Sequence, residues 1–455
     1  MAKEAEVTER VVVPFAGQGA GRGGLTWGQQ LFWREFELIG SPIWLTGLQP
    51  VPPGATVADV ADELAFIMGR NQSLRTRVEP HGDQPRQVVY DSGEHFLQVI
   101  DTEPDDDPLQ VARDLEETWK EREVEYDFAD DWPVRMAVIR HDGKPAYRVR
   151  GVSHIVTDGF GALAMQRDIQ ARDPVTGSPS GPNTSMEPLE QVEWQAGPSG
   201  VRCTDLCERH WKRVLRTIAT RRFNEPAQQE GCQYKRLNYD SRAVFLASQA
   251  IAARIGVTTS PVLLAAVAVG VARATGINPV VPRLYVSNRF RPRLASTVSP
   301  ISQTCPCVID VAGATFDDVV RRASSTSLSA YKHAYFEPVR IKELVAAIGQ
   351  ERGERMDLSF IYNDIRMSTP RQVSAPAPGQ RAIEEALPLT SITWKDREEL
   401  EGYCSLELLD SPESTNADLV IDTQYIGQAE AETSLREMEA VLVAAAHDPA
   451  ADVGI

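Results

Sequence analysis

The sequence predicts a mixed α/β (α+β) protein built as two lobes. Its 455 residues, 42% of them hydrophobic, exceed what one typical domain needs for its core. Stretches with two-residue alternation interleave with stretches of 3.6-residue periodicity in both halves, which favours a layered α/β architecture over all-helical or all-β ones. A Pro/Gly/Ser-rich stretch at 173–191, followed by Gly197-Pro198-Ser199-Gly200, interrupts the packing pattern. It places the expected boundary between an N-terminal lobe, 1–196, and a C-terminal lobe, 197–455.

The elements follow in order. Residues 1–10 read as a charged tail and Val11–Phe15 as a short strand, trailed by a loop of Gly17, Gly19, Gly21, Gly23 and Gly24. Leu25–Leu38 has helical spacing with Thr26 as its cap. Thr56–Asn71 is a second helix, with Val57, Val60, Leu64, Ile67 and Met68 on one face. Val88–Tyr90 and Phe96–Ile100 read as strands and Pro108–Lys120 as a helix. Val134–Ile139 and Tyr147–Val152 pair around the turn His141-Asp142-Gly143-Lys144, and Gly159–Ile169 is the helix beyond. The second half opens with a helix whose apolar stripe is Trp211, Val214, Leu215 and Ile218; Arg209, Lys212, Arg213, Arg216, Arg221 and Arg222 occupy the rest of its surface. Ser241–Ile255 and Ser260–Ala274 are helices; Val280–Ser287, Cys307–Val311 and Leu358–Tyr362 are strands. Strand Leu419–Thr423 and helix Glu430–Ala446 close the chain.

Composition narrows the function. A net charge of −17 argues against non-specific nucleic-acid binding, which depends on neutralising phosphates. None of the six cysteines forms a C-x-x-C pair, and Cys305 and Cys307 have no histidine nearby; no metal site is expected, and reduced thiols are. Cys305 and Cys307 lack a partnered base, so they read as strand residues rather than nucleophiles. MAKEAEVTER has no apolar h-region, and the longest apolar run, 261–272, is too short to span a membrane. A soluble cytoplasmic protein is expected, with no membrane partner. Gly19, Gly21 and Gly24 fit G-x-G-x-x-G, but the acidic residue a dinucleotide site wants about 20 residues on is missing; Pro42-Ile43-Trp44-Leu45 stands there. A glycine-rich entry loop is the better reading.

The segment with chemical promise is Ser153-His154-Ile155-Val156-Thr157-Asp158-Gly159. A histidine just past a strand end can accept and return a proton near neutral pH. A carboxylate four residues on can orient it, and a glycine lets the chain turn tightly. H-x-x-x-D alone equally describes a histidine satisfied at a strand end.

The surrounding sequence adds to this. The segment resembles the HHxxxDG signature of the condensation domains of nonribosomal peptide synthesis. Leu25-Thr26-Trp27-Gly28-Gln29-Gln30-Leu31-Phe32-Trp33 resembles that family's first motif, and Arg70-Asn71-Gln72-Ser73-Leu74-Arg75-Thr76-Arg77 its second, RHExLRTxF. Val192-Glu193-Trp194-Gln195 is a looser match to the fourth. Val298-Ser299-Pro300-Ile301-Ser302-Gln303-Thr304 resembles VGxFVNT, and His333-Ala334-Tyr335-Phe336-Glu337 resembles the YPFE element. The matches are collinear and cover nearly the whole chain.

The resemblance implies two chloramphenicol acetyltransferase-like lobes in a V, with a tunnel between them. It implies no cofactor of the chain's own. Phosphopantetheine arms would arrive on an acyl or peptidyl carrier protein acting in trans, and a small-molecule amine or alcohol would be the acceptor. By position His154 is catalytic. Asp158 is structural and pairs with an arginine of the second lobe, for which Arg289 is the match. Gly159 offers a backbone N–H to the thioester carbonyl. Ser153 stands where the family has its first histidine. Arg209, Lys212, Arg213 and Arg216 form a candidate docking patch for an acidic carrier. The expected function is a free-standing condensation enzyme of natural-product, for instance antibiotic, biosynthesis. The alternatives are an acyl-CoA-dependent acyltransferase of the same fold and a non-catalytic recruitment domain.

Overall fold

Strands in the first third alternate so that one sheet can be covered on both faces. The computed structural model describes residues 6–80, 84–120, 126–173, 175–223, 233–366, 377–397 and 402–455. Chain compactness yields two units: residues 1–204 with 287–302 and 336–338, and residues 205–286 with 303–335 and 339–455. This differs from a single cut at 196/197, because two later segments fold back into the first unit.

The first unit contains, in chain order, β1 (Glu9–Ala16), β2 (Gly21–Gly24), α1 (Trp27–Ile39), β3 (Trp44–Pro50), α2 (Val57–Arg70), β4 (Thr76–Glu79), β5 (Arg86–Val89), β6 (Ser92–Asp101), α3 (Pro108–Lys120), β7 (Val134–His141), β8 (Lys144–Ser153), α4 (Gly159–Gln170) and α5 (Pro188–Ala196). Its main sheet has the order β1-β6-β7-β8-β3, and β2-β5-β4 form a smaller one. β7 is central and apolar on both faces. Met136 and Val138 join a core with Leu64, Ile67 and Met68 of α2 and Ala164 and Met165 of α4. Ala137 and Ile139 point the other way, onto Ala112, Leu115 and Trp119 of α3. The two-residue period of a strand explains the split. Thr26 caps α1 by a capping box with Gln29, and Thr56 caps α2 in the same way with Asp59.

The second unit takes in most of α6 (Pro198–Thr217), then β9 (Tyr234–Ser241), α7 (Arg242–Ile255), α8 (Thr259–Thr275), β10 (Arg283–Val286), β11 (Gln303–Pro306), α9 (Phe316–Lys332), α10 (Pro338–Arg352), β12 (Phe360–Asp364), α11 (Gln380–Ala386), β13 (Ser391–Arg397), β14 (Cys404–Leu409), β15 (Thr415–Asp422) and α12 (Gln428–His447). The seven-stranded sheet runs β11-β10-β12-β14-β15-β9-β13. Among the described residues no single helix is long and apolar enough to cross a membrane; α8 is apolar nearly all round because it is a buried core helix.

Several expectations change. The strand placed at Val11–Phe15 begins at Glu9, because Glu9–Ala16 pairs along β6; residues 1–5 lie outside the described residues. The glycine stretch is partly a strand, since Gly21–Gly24 pairs with β5, which also removes the strand–turn–helix context of a dinucleotide loop. The loop expected over 173–191 ends earlier, because Pro188 opens α5 with its preset backbone angle. Cys305 lies in β11 but Cys307 lies just past it; both are buried. Burial pushes the Cys307 thiol up to about 12 and raises that of Cys305, so neither is a ready thiolate. Cys232 lies outside the described residues. Arg222 is not on a helix surface. It is buried past the end of α6, donating to the Val281 carbonyl at 2.9 Å and to that of Asp357.

Candidate active site

The site is built where β8 runs out. Ser153, the last strand residue, is opposite Trp44 of β3, and its N–H donates to the Pro133 carbonyl at 2.9 Å. The next N–H, of His154, donates to Ile43 O at 2.9 Å. The backbone is therefore anchored on both sides as the chain leaves the sheet. Asp158 then caps α4, its Oδ1 accepting from Gly161 N at 2.8 Å. Residues 154–158 form a short bridge between a sheet end and a helix start.

At one end of the bridge, the His154 imidazole is half-buried. The Phe32 ring of α1 covers one of its faces, with centroids 4.5 Å apart and planes 18° apart. Nδ1 lies 3.1 Å from Thr157 O. A carbonyl can only accept, so Nδ1 carries the hydrogen. Nε2 is left with its lone pair. Burial pushes the His154 pKa down to about 4, against the Asp158 charge and the Thr157 hydrogen bond, which both pull it up. At neutral pH the ring is uncharged and accepts protons only at Nε2.

The other end is saturated. Asp158 is 4% exposed. Arg289 reaches it in a fork, with Nη1 2.9 Å from Oδ2 and Nη2 2.7 Å from Oδ1. Ile301 N and Ser302 N each donate to Oδ2 at 3.1 Å, and the Ser302 hydroxyl does so at 2.8 Å. Burial alone would raise this carboxyl, but Arg289 and these donors hold it below the usual value. Arg289 in turn donates to Thr297 O and Ser299 O at 3.1 and 3.2 Å. Asp158 thus locks residues 287–302 onto the bridge, and Arg289, expected from a second lobe, lies in a segment that folds with the first unit.

Two glycines permit this closeness. A Cβ on Gly161 would stand 2.4 Å from Thr157 Oγ1 and 3.1 Å from Arg289 Nη2. One on Gly28 of α1 would stand 1.7 Å from Pro300 O, far inside any non-bonded contact. The second-motif residues brace the same unit. Arg70 pairs with Asp168 of α4 at 3.1 Å, and the buried Arg75 donates to Gly19 O at 2.8 Å and to the Gln18 and Tyr90 carbonyls.

The structure therefore brings together Ser153, His154, Asp158, Gly159 and Arg289. Ser153 is fully buried behind the bridge, and Gly159 is the first residue of α4. Arg209, Lys212, Arg213 and Arg216 are exposed on α6, well separated in sequence from the bridge. Arg216 is engaged by Glu351 at 2.9 Å, and Arg213 Nη2 by His210 Nδ1 at 3.1 Å. Sequence reasoning missed Phe32, Gly161 and Ser302 as site residues. Gly161 had a signal, as the second glycine of Gly159-Phe160-Gly161; Phe32 and Ser302 lie within matched motifs, but their partners are far along the chain and their roles could not be read there. Among the described residues no group of three or more His, Cys, Asp or Glu is placed to hold a metal ion.

The family model for the condensation domain matches residues 54–453. The chain belongs to the condensation-domain family. Condensation domains work in nonribosomal peptide and polyketide systems and as a family form amide and ester bonds. The chain is 22% identical over 70% of its length to a linear gramicidin synthase polypeptide of Brevibacillus parabrevis. It is 23% identical over 60% of its length to phosphinothricin tripeptide synthetase PhsC of Streptomyces viridochromogenes. It spans only 7% and 26% of those two proteins. Among solved structures, the X-domain from teicoplanin biosynthesis superposes with a TM-score of 0.69 at 17% identity, covering 96% of this chain and 98% of that one. The mixed α/β fold is that of condensation domains, chloramphenicol acetyltransferase-like in its layers.

Proposed function

We propose that this condensation domain joins a carrier-tethered acyl or aminoacyl thioester to an amine or hydroxyl acceptor, with His154 as the group that handles the acceptor's proton. The carrier protein acts in trans, and its phosphopantetheine arm is part of the substrate; the chain supplies no cofactor. The observation that carries this is the state of His154: neutral, its hydrogen pinned at Nδ1 by Thr157 O, its Nε2 lone pair available.

The acceptor nitrogen or oxygen attacks the thioester carbonyl, and its proton passes to Nε2. The C–S bond then breaks, and the proton is returned to the departing thiolate. A ring whose pKa lies near 4 is too weak a base to deprotonate a free amine or alcohol, so it takes the proton only after the acceptor has bonded to the acyl carbon and its proton has become more acidic. The Gly159 N–H, at the N-terminal end of α4, would help stabilise the developing oxyanion. Asp158 and Arg289 hold the bridge and touch no reacting atom in this scheme. The exposed cations Arg209, Lys212, Arg213 and Arg216 would steer an acidic carrier protein.

Offering one acyl group on a carrier protein and on coenzyme A, with the same amine, tests this reading. Product from the carrier thioester alone is expected. Efficient use of the CoA thioester would favour an acyl-CoA acyltransferase. Ser153 keeps a third reading open, because a buried serine stands where the family has its first histidine. Binding of a partner enzyme without product from either thioester would identify a recruitment domain.

A further inference from the structure

The imidazole of His154 has two flat faces, and α1 supplies the cover for one of them. The Phe32 ring is nearly parallel to it at 4.5 Å. Phe32 is itself held from behind, packing against the core that contains Ile155, Val156 and Val298, with Phe36 one turn on at 6.3 Å between centroids. α1 cannot easily shift, because Gly28 lies against Pro300 and the capping box fixes its start. Thr157 O pins Nδ1 in the ring plane. One in-plane hydrogen bond still allows the ring to rock about that bond; a flat partner stacked on its face removes this freedom.

We infer that Phe32 is a positioning residue for His154, stacking on the imidazole so that one face is shielded from water and the ring keeps its hydrogen at Nδ1 and presents Nε2 in one direction. The inference rests on the reading of His154 as the proton-accepting group. Two effects of Phe32 on the imidazole oppose each other. A π-face stabilises a cation, which would favour protonation. Exclusion of water disfavours it. Burial lowers the pKa to about 4 even with the Asp158 carboxylate pulling the other way, and the stacked Phe32 ring is part of what covers the imidazole. Asp158 is the charged group acting on the ring, and its own charge is spent on Arg289 and the Ser302 hydroxyl. Removing Phe32 should therefore raise the pKa and loosen the tautomer together.

The experiment uses the whole chain with ¹⁵N-labelled histidine, the His154 signals being assigned by their loss in His154→Gln. In the wild type, His154 should show the Nδ1–H tautomer and titrate well below an ordinary solvent-exposed histidine. Phe32→Ala should raise its pKa by about one unit or more and mix the two tautomers. It should lower kcat roughly tenfold with KM little changed, and move the acid limb of the rate profile upward. Phe32→Leu keeps an apolar side chain of similar reach without the flat ring. It should leave the backbone spectrum intact and the pKa low, yet reduce the Nδ1–H share and kcat. Wild-type titration and tautomer in both variants would overturn the inference, and if the alanine variant does not fold, the leucine variant decides. Should His154→Ala react at the wild-type rate, the proposed function fails and the positioning role falls with it; an inactive His154→Ala beside an unshifted titration and tautomer in Phe32→Ala overturns the positioning role alone.

Discussion

The two ends of the bridge 154–158 obey opposite rules. Asp158 is ionised and carries five partners: a bidentate arginine, three backbone N–H groups and a hydroxyl. His154 is neutral, with one hydrogen bond to its ring and one stacked neighbour. A buried charge is stable only when every lone pair is satisfied; a proton acceptor is useful only when one lone pair is not. Four residues apart, the chain makes one group rigid so that the other can stay incomplete. On the proposed function, the HxxxDG pattern is a support and a tool on one short span.

Breaking the support should cost the most stability. Arg289→Ala leaves a buried carboxylate without its cation, and the expected loss is about 3–5 kcal/mol of unfolding free energy, read by urea titration. An unchanged midpoint would mean that Asp158 is not the lock described above. Gly28→Ala comes next. Its added methyl collides with Pro300 O, so α1 or the 298–302 segment must move. A loss of about 1–3 kcal/mol is expected, together with a weaker His154–Phe32 stack.

The pH dependence of stability separates the two ends without removing either lock. The folded pKa of His154 lies near 4, below its ordinary 6.5. Between those values the unfolded state binds the proton more readily, so stability falls as pH drops from 6.5 to 4. Asp158 is held below its ordinary 3.8, so its contribution is lost only as pH falls further. His154→Gln should therefore flatten part of the decline between pH 6.5 and 4, leaving the steps due to His210 and His95, whose pKa values are also depressed. A slope identical to the wild type would show that His154 is not held neutral by the fold. The smallest effect is expected far from the bridge. Arg209→Glu with Lys212→Glu should slow carrier association several-fold at low salt and hardly at all at high salt, with kcat unchanged at saturation. A salt-independent effect would remove electrostatic docking from α6.

Local pattern carried much of the fold into view. The Thr26 N-cap, α3 and the β7–β8 hairpin follow from short-range periodicity and turn chemistry. The segments that failed were those whose state depends on a distant partner. Gly21–Gly24 has little side-chain signal for a strand; β5 makes it one. Arg222 looks like the next residue of a cationic surface, yet carbonyls at 281 and 357 draw it inside. At the site, His154, Asp158 and Arg289 could be read from motifs, because each motif has a chemical demand. Phe32 and Ser302 fall inside matched motifs, but their roles could not be read there, since the partner of a stacking ring or of a single hydroxyl donor shows only in the fold.

On the proposed function, His154 performs chemistry while Asp158 performs architecture. The direct test is the single-turnover rate of amide formation from an acyl-loaded carrier protein by His154→Ala, with its thermal midpoint measured on the same sample. The expected result is a rate lower by roughly 10²–10⁴ and a midpoint within a few degrees of wild type. A wild-type rate, or a loss of rate explained by unfolding, would contradict it.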